Sequence, residues 1–357
     1  MDYCYRFPVV KGVQAKHVYY IAMVPLGMLG KLFPENEDEY VLPEYRAQRK
    51  LNESRIPEIK NYILDNPETY VFSALAASID GEFQYIPSNN KNIGTLEVSL
   101  DARFLINDGQ HRKAALLAAI EERHELVEET ISVVFFEDQG LARSQQMFTD
   151  LNKHAVKTSN SISELYDSRD PLAVVTRKVI GQISFLEEYV DKEKDNLGKY
   201  SSSLFTLNTF YTANKRIIGR NEFNAYTEKF LLKYWQAVVD NMVPWKEVNS
   251  KEISKKELRE QFIATQSVII QAFGRLGNYF IENPDLNVND SLSQIGRINW
   301  KRNCDDWKYR VIKANGRMIN NSTAIILACN VIKKYINLPL TDDEISVENN
   351  YLQNMRG

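Results

Sequence analysis

The sequence predicts an α+β fold in two parts, a mixed α/β domain over residues 1–165 and a mainly α-helical domain over residues 166–357. Three observations predict it. Short β-branched and aromatic runs divided by Gly, Pro and Asn clusters are confined to the first part. From about residue 160 onward, stretches with apolar residues three and four apart replace them. In the first part, the apolar run Arg103-Phe104-Leu105-Ile106 breaks at Asp108-Gly109 and becomes an alanine- and leucine-rich helical stretch.

Taken in order, strands are predicted at His17–Val24, Val71–Ile79, Phe83–Ile86, Thr95–Leu100, Phe104–Ile106 and Ile131–Phe136. Ile56, Ile59, Ile63 and Leu64 share one face of a helix that stops before Asn66-Pro67, and Ala114–Leu126 and Leu141–Asn152 have comparable spacing. The second part reads as helices at Leu172–Tyr189, Leu204–Ile218, Glu222–Val239, Lys255–Ile281 and Ser322–Ile336. The charged break Asp191–Gly198 is an exposed loop rather than a domain linker, because apolar helices flank it closely. Thr341 followed three residues later by Glu344 is a capping box that starts a last helix. No repeat of fixed period is apparent.

Among its 357 residues 44% are hydrophobic and 25% charged, an ordinary globular mix rather than a disordered one. No run approaches the roughly 20 apolar residues of a membrane span, and the N-terminus lacks a signal-peptide core, so a cytoplasmic protein with no membrane partner is expected. Cys4, Cys304 and Cys329 are odd in number and widely spread, which argues for reduced thiols and against both a disulfide framework and a metal site.

A net charge of -3 weakens any reading as a general nucleic-acid sponge, since nonspecific affinity comes from neutralised phosphates. Local charge differs. Arg297, Lys301, Arg302, Lys308, Arg310, Lys313 and Arg317 form a basic stretch that interleaves Trp300, Trp307 and Tyr309. Trp300, Lys301, Arg302, Trp307 and Arg310 are therefore a candidate DNA surface; the alternative is a solvated helix whose tryptophans belong to the core. Short consecutive helices nearby are compatible with a helix-turn-helix, with no recognition helix fixed.

The junction Asp108-Gly109-Gln110-His111-Arg112 is the leading candidate site. A helix start leaves backbone N–H groups without partners and carries partial positive charge, and a Gly there lets an anion reach the amides. His111 and Arg112 would add side-chain donors. Asp-Gly before a helix is equally an ordinary turn and cap. His111 fits a general base, a phosphate donor or a structural histidine, and no second His stands at metal-ligand spacing from it.

Residues 108–112 resemble the signature of the DGQHR-motif proteins, and the match is close to their DndB branch, associated with DNA phosphorothioate (sulfur) modification. Ala47-Gln48-Arg49-Lys50-Leu51-Asn52-Glu53-Ser54-Arg55-Ile56-Pro57-Glu58-Ile59, Tyr62-Ile63-Leu64-Asp65-Asn66-Pro67, Tyr70-Val71-Phe72-Ser73-Ala74-Leu75 and Ser144-Gln145-Gln146-Met147-Phe148-Thr149-Asp150-Leu151-Asn152 read like that family in the expected order. Weaker echoes fall at Gly316-Arg317 and at Leu338-Pro339-Leu340-Thr341. The family is in turn similar to the ParB N-terminal and sulfiredoxin fold, where a Gly-x-x-Arg-x-x-Ala turn binds nucleotide phosphates; Gly109, Arg112 and Ala115 meet that pattern. Gln110 stands where sulfiredoxin has its catalytic Cys, so that thiol chemistry does not carry over; it also replaces the acidic residue of the ParB pocket, which favours phosphate binding over hydrolysis.

Arg49 lies in a stretch resembling the first ParB-type box and would face either a neighbouring carboxylate or a ligand phosphate; for Arg55 an ion pair is favoured. Asn152 and Lys153, with His154, resemble the third box, although basic groups at a helix C-terminus are already explained by the macrodipole. The resemblance implies a DNA-binding transcriptional repressor of a modification system, with a ParB/sulfiredoxin-like first domain, a nucleotide as candidate cofactor, and DNA and other proteins of the system as partners. The alternative is a ParB-like nucleotide triphosphatase or DNA-nicking enzyme using the same turn. Neither catalytic residues nor an oligomeric state follow from the sequence.

Overall fold

The structure, a computed structural model, describes residues 3–34, 53–137, 140, 146–147, 149–151, 158–198 and 201–356. It divides into two compact units, Met1–Val156 and Lys157–Gly357. The first is a mixed α/β unit with a seven-stranded sheet; the second is mainly helical.

The sheet contains β1 (Cys4–Gln14), β2 (His17–Pro25), β3 (Leu75–Asp80), β4 (Phe83–Pro87), β5 (Ile93–Ser99), β6 (Arg103–Asp108) and β7 (Thr130–Glu137), in the order β4-β5-β1-β2-β7-β3-β6. All neighbours are antiparallel except β3 and β7. Inward residues alternate along the strands: Phe7 and Val9, Tyr20 and Ala22, Val133 and Phe135 are buried while their neighbours are not. The sheet curls, bringing the Phe104 ring on β6 to 6.3 Å from Phe7 on β1.

The sequence reading omits β1. Arg6, Pro8, Lys11 and Gly12 interrupt its apolar run, and Pro8 has no N–H to donate. The strand tolerates this because its pairing is staggered: β5 pairs with Cys4–Val10, whereas pairing to β2 begins only at Val9. Ala15 (φ 48°) and Lys16 (φ 69°) close the tight β1–β2 turn.

Two helices of this unit position the candidate site. Helix α1 (Ile56–Asp65) buries Ile63, and α2 (Gln110–Glu122) buries Ala115, Leu116 and Ala119 against the same core. The two pack together, with an ion pair between Lys60 and Glu122 at their margin. The strand predicted at Val71–Ile79 begins only at Leu75. Side chains hold the preceding segment in irregular form: Val71 N–H donates to the Tyr62 hydroxyl at 3.0 Å, and the Tyr70 hydroxyl donates to Glu129. Burial, with help from Glu129, pushes the Tyr70 phenol well up.

The second unit contains α3 (Asn160–Tyr166), α4 (Pro171–Gln182), α5 (Ser184–Tyr189), α6 (Leu207–Ile218), α7 (Ala225–Asn241), α8 (Val243–Asn249), α9 (Lys255–Gln261), α10 (Ser267–Glu282), α11 (Val288–Leu292), α12 (Ser322–Tyr335) and α13 (Asp342–Arg356). Helix α3 packs on α4 and α6, so this segment, expected at the end of the first domain, belongs with the helices that follow it. The predicted helices at Leu172–Tyr189 and Lys255–Ile281 are each split in two. Asp195 in the charged break caps α3, accepting from the Asn160 and Ser161 amides at 2.8 Å each.

Helices α6 and α10 approach closely because a Cβ at Gly274 would lie 2.9 Å from the Ala213 carbonyl oxygen. Asn214 of α6 is buried toward α4 and α7, donating to Thr176 at 2.9 Å and accepting from the Trp235 indole at 2.7 Å. The capping box at α13 is present: Thr341 N–H donates to Glu344 at 2.9 Å. Glu344 also receives the buried Lys333 ammonium at 2.7 Å, and these hydrogen bonds hold its carboxyl below the usual range against the effect of burial. None of Cys4, Cys304 and Cys329 is in a disulfide, and Cys329 is buried. No helix of the described residues is long and apolar enough to cross a membrane.

Candidate functional site

Strand β6 is last in the strand order, and a bulge interrupts its pairing to β3: Ala76 faces Asp108 while Ala77 faces Ile106. Asn107 is the extra residue. Bulges re-aim side chains at sheet margins. Asn107 is 2% exposed and donates to Ser78 Oγ at 2.7 Å, and its Oδ1 is a buried acceptor with no hydrogen-bond partner among the described residues.

Immediately after the bulge, Gly109 takes φ 102°, ψ 14°, the left-handed region, and serves as N-cap of α2. A Cβ there would stand 2.4 Å from Leu75 Cδ2, and Leu75 is fully buried, so Gly is required by both backbone and packing. Among the described residues no side chain caps this helix start. Its first turn, Gln110-His111-Arg112, is half-buried and carries no acidic residue. Such a start concentrates backbone donors and the positive end of the helix dipole.

The Arg112 guanidinium is turned toward the protein. Nη1 donates to the Ser73 carbonyl at 2.8 Å, to the Ser73 hydroxyl and to the Ala74 carbonyl at 3.1 Å, while Nη2 pairs with Asp108 at 2.5 Å. Only 16% of its side chain is exposed. Arg112 therefore fastens the Ser73-Ala74 segment to the start of α2, and Asp108 balances its charge. Arg112, expected from the sequence to add a donor for a phosphate, makes its hydrogen bonds here to the protein itself.

Asp108, Gly109 and Arg112 are thus brought together, and Gln110 and His111 follow in the same helical turn. Arg49, Asn152 and Lys153, with His154, lie outside the described residues. So does most of the predicted helix Leu141–Asn152; Gln146, Met147 and Thr149–Leu151 are helical, and Met147 Sδ lies 3.2 Å from Asn107 Nδ2. Arg55 is the exposed N-cap residue of α1. Sequence reasoning missed Ser73 and Asn107. A polar residue inside an apolar run was the available signal for Asn107, whereas nothing local marks Ser73.

The C-terminal DNA surface is corrected. Trp300 is 2% and Trp307 0% exposed, and the rings stack at 5.4 Å between centroids, so neither is a platform for bases. Each indole is core because its neighbours are apolar: Trp300 also meets Phe273. Arg302 is half-buried, donates to the Arg259 carbonyl at 3.3 Å, and has its basicity lowered by burial. Arg310 pairs with Glu348 at 2.7 Å and lies over the Tyr351 ring. Of these five residues only Lys301 is exposed.

The family model DndB, described as DNA-sulfur modification-associated, matches residues 7–339. No match was found among curated proteins or solved structures.

Proposed function

The chain belongs to the DndB family, associated with DNA sulfur modification, and we propose that within such a system it is a DNA-binding transcriptional regulator. The observation that carries this reading is the start of α2. A left-handed Gly109 opens a 13-residue helix that no described side chain caps, in a member of a family tied to DNA chemistry. That geometry suits a phosphate oxygen, whether of the DNA backbone or of a nucleotide.

The strand, Gly turn and helix order of β6 and α2 supports the likeness to the ParB/sulfiredoxin arrangement and the choice of a nucleotide as candidate effector. Nucleotide and DNA would then be coupled through one turn, a nucleotide acting by shifting the DNA-competent population. In this reading Gln110, the first residue of α2, contacts the ligand, and Arg112 with Asp108 keeps the turn in shape.

Fluorescence anisotropy of a duplex from upstream of the modification genes, against a scrambled duplex and across a salt series, tests this function. Tighter binding of the upstream duplex, with an affinity that falls as salt rises, is expected. Equal affinity for both duplexes, or nucleotide turnover or strand nicking without selective binding, would replace the regulator with the enzyme reading.

A further inference from the structure

In the second unit, a polar cleft of about 300 Å³ opens between one side of α6, from Asn208 to Arg216, and the amino-terminal parts of α10 and α12. Its lining includes Asn208, Thr209, Thr212, Arg216, Gln271 and Asn321. Arg216 is the one cation of that lining, and no carboxylate is among the residues that form it, in a chain whose acidic residues outnumber its basic ones by 47 to 44. Neutral donors and a single guanidinium, with no competing acid, are the chemistry of an anion site.

The guanidinium is held by a built support. Gln271 is 5% exposed; its Oε1 accepts from Arg216 Nε at 2.9 Å, and its Nε2 donates to the Thr209 carbonyl at 3.0 Å. Burying an amide costs free energy unless both its ends are bonded, and here both ends are used, one of them on the arginine. With Nε engaged, the paired Nη groups remain as a fork, and among the described residues no carboxylate forms an ion pair with them. Thr212 donates to Asn208 Oδ1 at 3.3 Å, which leaves the Asn208 amide nitrogen as a further donor on the same helix.

We propose that this cleft binds a phosphate group, with Arg216 as its charged contact and Gln271 as the residue that positions Arg216. It is a site separate from the Gly109 turn and stands whether or not that turn binds DNA. The phosphate could be carried by a DNA backbone or by a free phosphate compound, and the two sources separate by experiment.

The test uses the full chain, with inorganic phosphate followed by calorimetry and a DNA duplex followed by anisotropy. Two variants are compared with wild type. Arg216→Gln removes the charge. Asn321→Asp keeps the α12 N-cap, whose side chain accepts from Ala324 N–H at 2.8 Å, and adds a carboxylate to the lining. Saturable phosphate binding that weakens about tenfold or more in both variants, with melting temperatures unchanged, is expected. A parallel loss of DNA affinity assigns the site to the DNA backbone; unchanged DNA affinity assigns it to a free phosphate compound. Absence of saturable phosphate binding in wild type, or equal binding in wild type and Asn321→Asp, overturns the proposal.

Discussion

Arg112 and Ser73 stand 39 residues apart in the chain, yet Arg112 Nη1 donates to both the carbonyl and the hydroxyl of Ser73. This contact ties the irregular segment ahead of β3 to the first turn of α2. The most conspicuous cation of the Asp108–Arg112 motif is thereby a fastening, shared with Asp108.

Arg112→Ala should lower stability by about 1.5–3 kcal/mol, the range for a hydrogen bond to a charged group, because Asp108 and the Ser73 carbonyl lose their partner together. Arg112→Lys should recover only part, since an ammonium lacks the planar fork that reaches Ser73, Ala74 and Asp108 at once. Urea denaturation of the three proteins checks this. Stability equal to wild type in Arg112→Ala would return Arg112 to the role of a ligand contact.

At Gly109, both backbone and space oppose a side chain. Gly109→Ala should destabilise by about 1–3 kcal/mol through its φ of 102° and the contact of its Cβ with Leu75, and the two further methyls of Gly109→Val should make it worse. Thermal melts of the two variants give the order directly. A Val variant as stable as the Ala variant would remove the packing half of the argument.

The sequence announced this turn because a Gly between an apolar run and an alanine-rich stretch is a local pattern, and the left-handed Gly109 bears it out. Six of the seven sheet strands were legible for the same reason, each being a short apolar or β-branched run bounded by turn residues. β1 was not, because Pro8, Lys11 and Gly12 break its pattern and only the staggered pairing to β5 and β2 supports it. Trp300 and Trp307 show the opposite failure: aromatics among cations look alike whether the rings face solvent or core, and only packing against Phe273 decides. The Arg112–Ser73 contact spans 39 residues, a separation at which no spacing rule operates.

Asn107 and Ser78 form a buried polar pair with one unmet acceptor. Ser78→Ala should destabilise by about 1–3 kcal/mol by stranding the Asn107 amide, whereas the double variant Ser78→Ala with Asn107→Leu should lie closer to wild type. A double-mutant cycle by chemical denaturation measures the coupling. Strict additivity would mean that the pair contributes nothing jointly.

Glu164 carries the clearest pH dependence. Burial, then Asp195 and Asp170, push its carboxyl up to about 7, and its Oε2 has no hydrogen-bond partner in the structure. A folded-state value above the unfolded one means that the fold holds this proton more tightly. Its contribution is therefore complete below the ordinary carboxylate range and is lost as pH rises through about 7. Glu164→Gln should gain stability relative to wild type between pH 5 and pH 8, the range over which the folded protein loses the Glu164 proton. A stability difference constant across that range would show that Glu164 titrates normally.

The affinity of Gln110→Glu for the upstream duplex is the most direct test that the start of α2 grips phosphate. A carboxylate in the first helical turn favours the helix dipole, so the fold should be kept or slightly strengthened, while a phosphate at the same amides is repelled. Anisotropy should show affinity reduced by about tenfold with an unchanged melting temperature, the scale of one lost charge-assisted contact. Wild-type affinity in a folded Gln110→Glu protein would contradict the assignment of this turn to DNA.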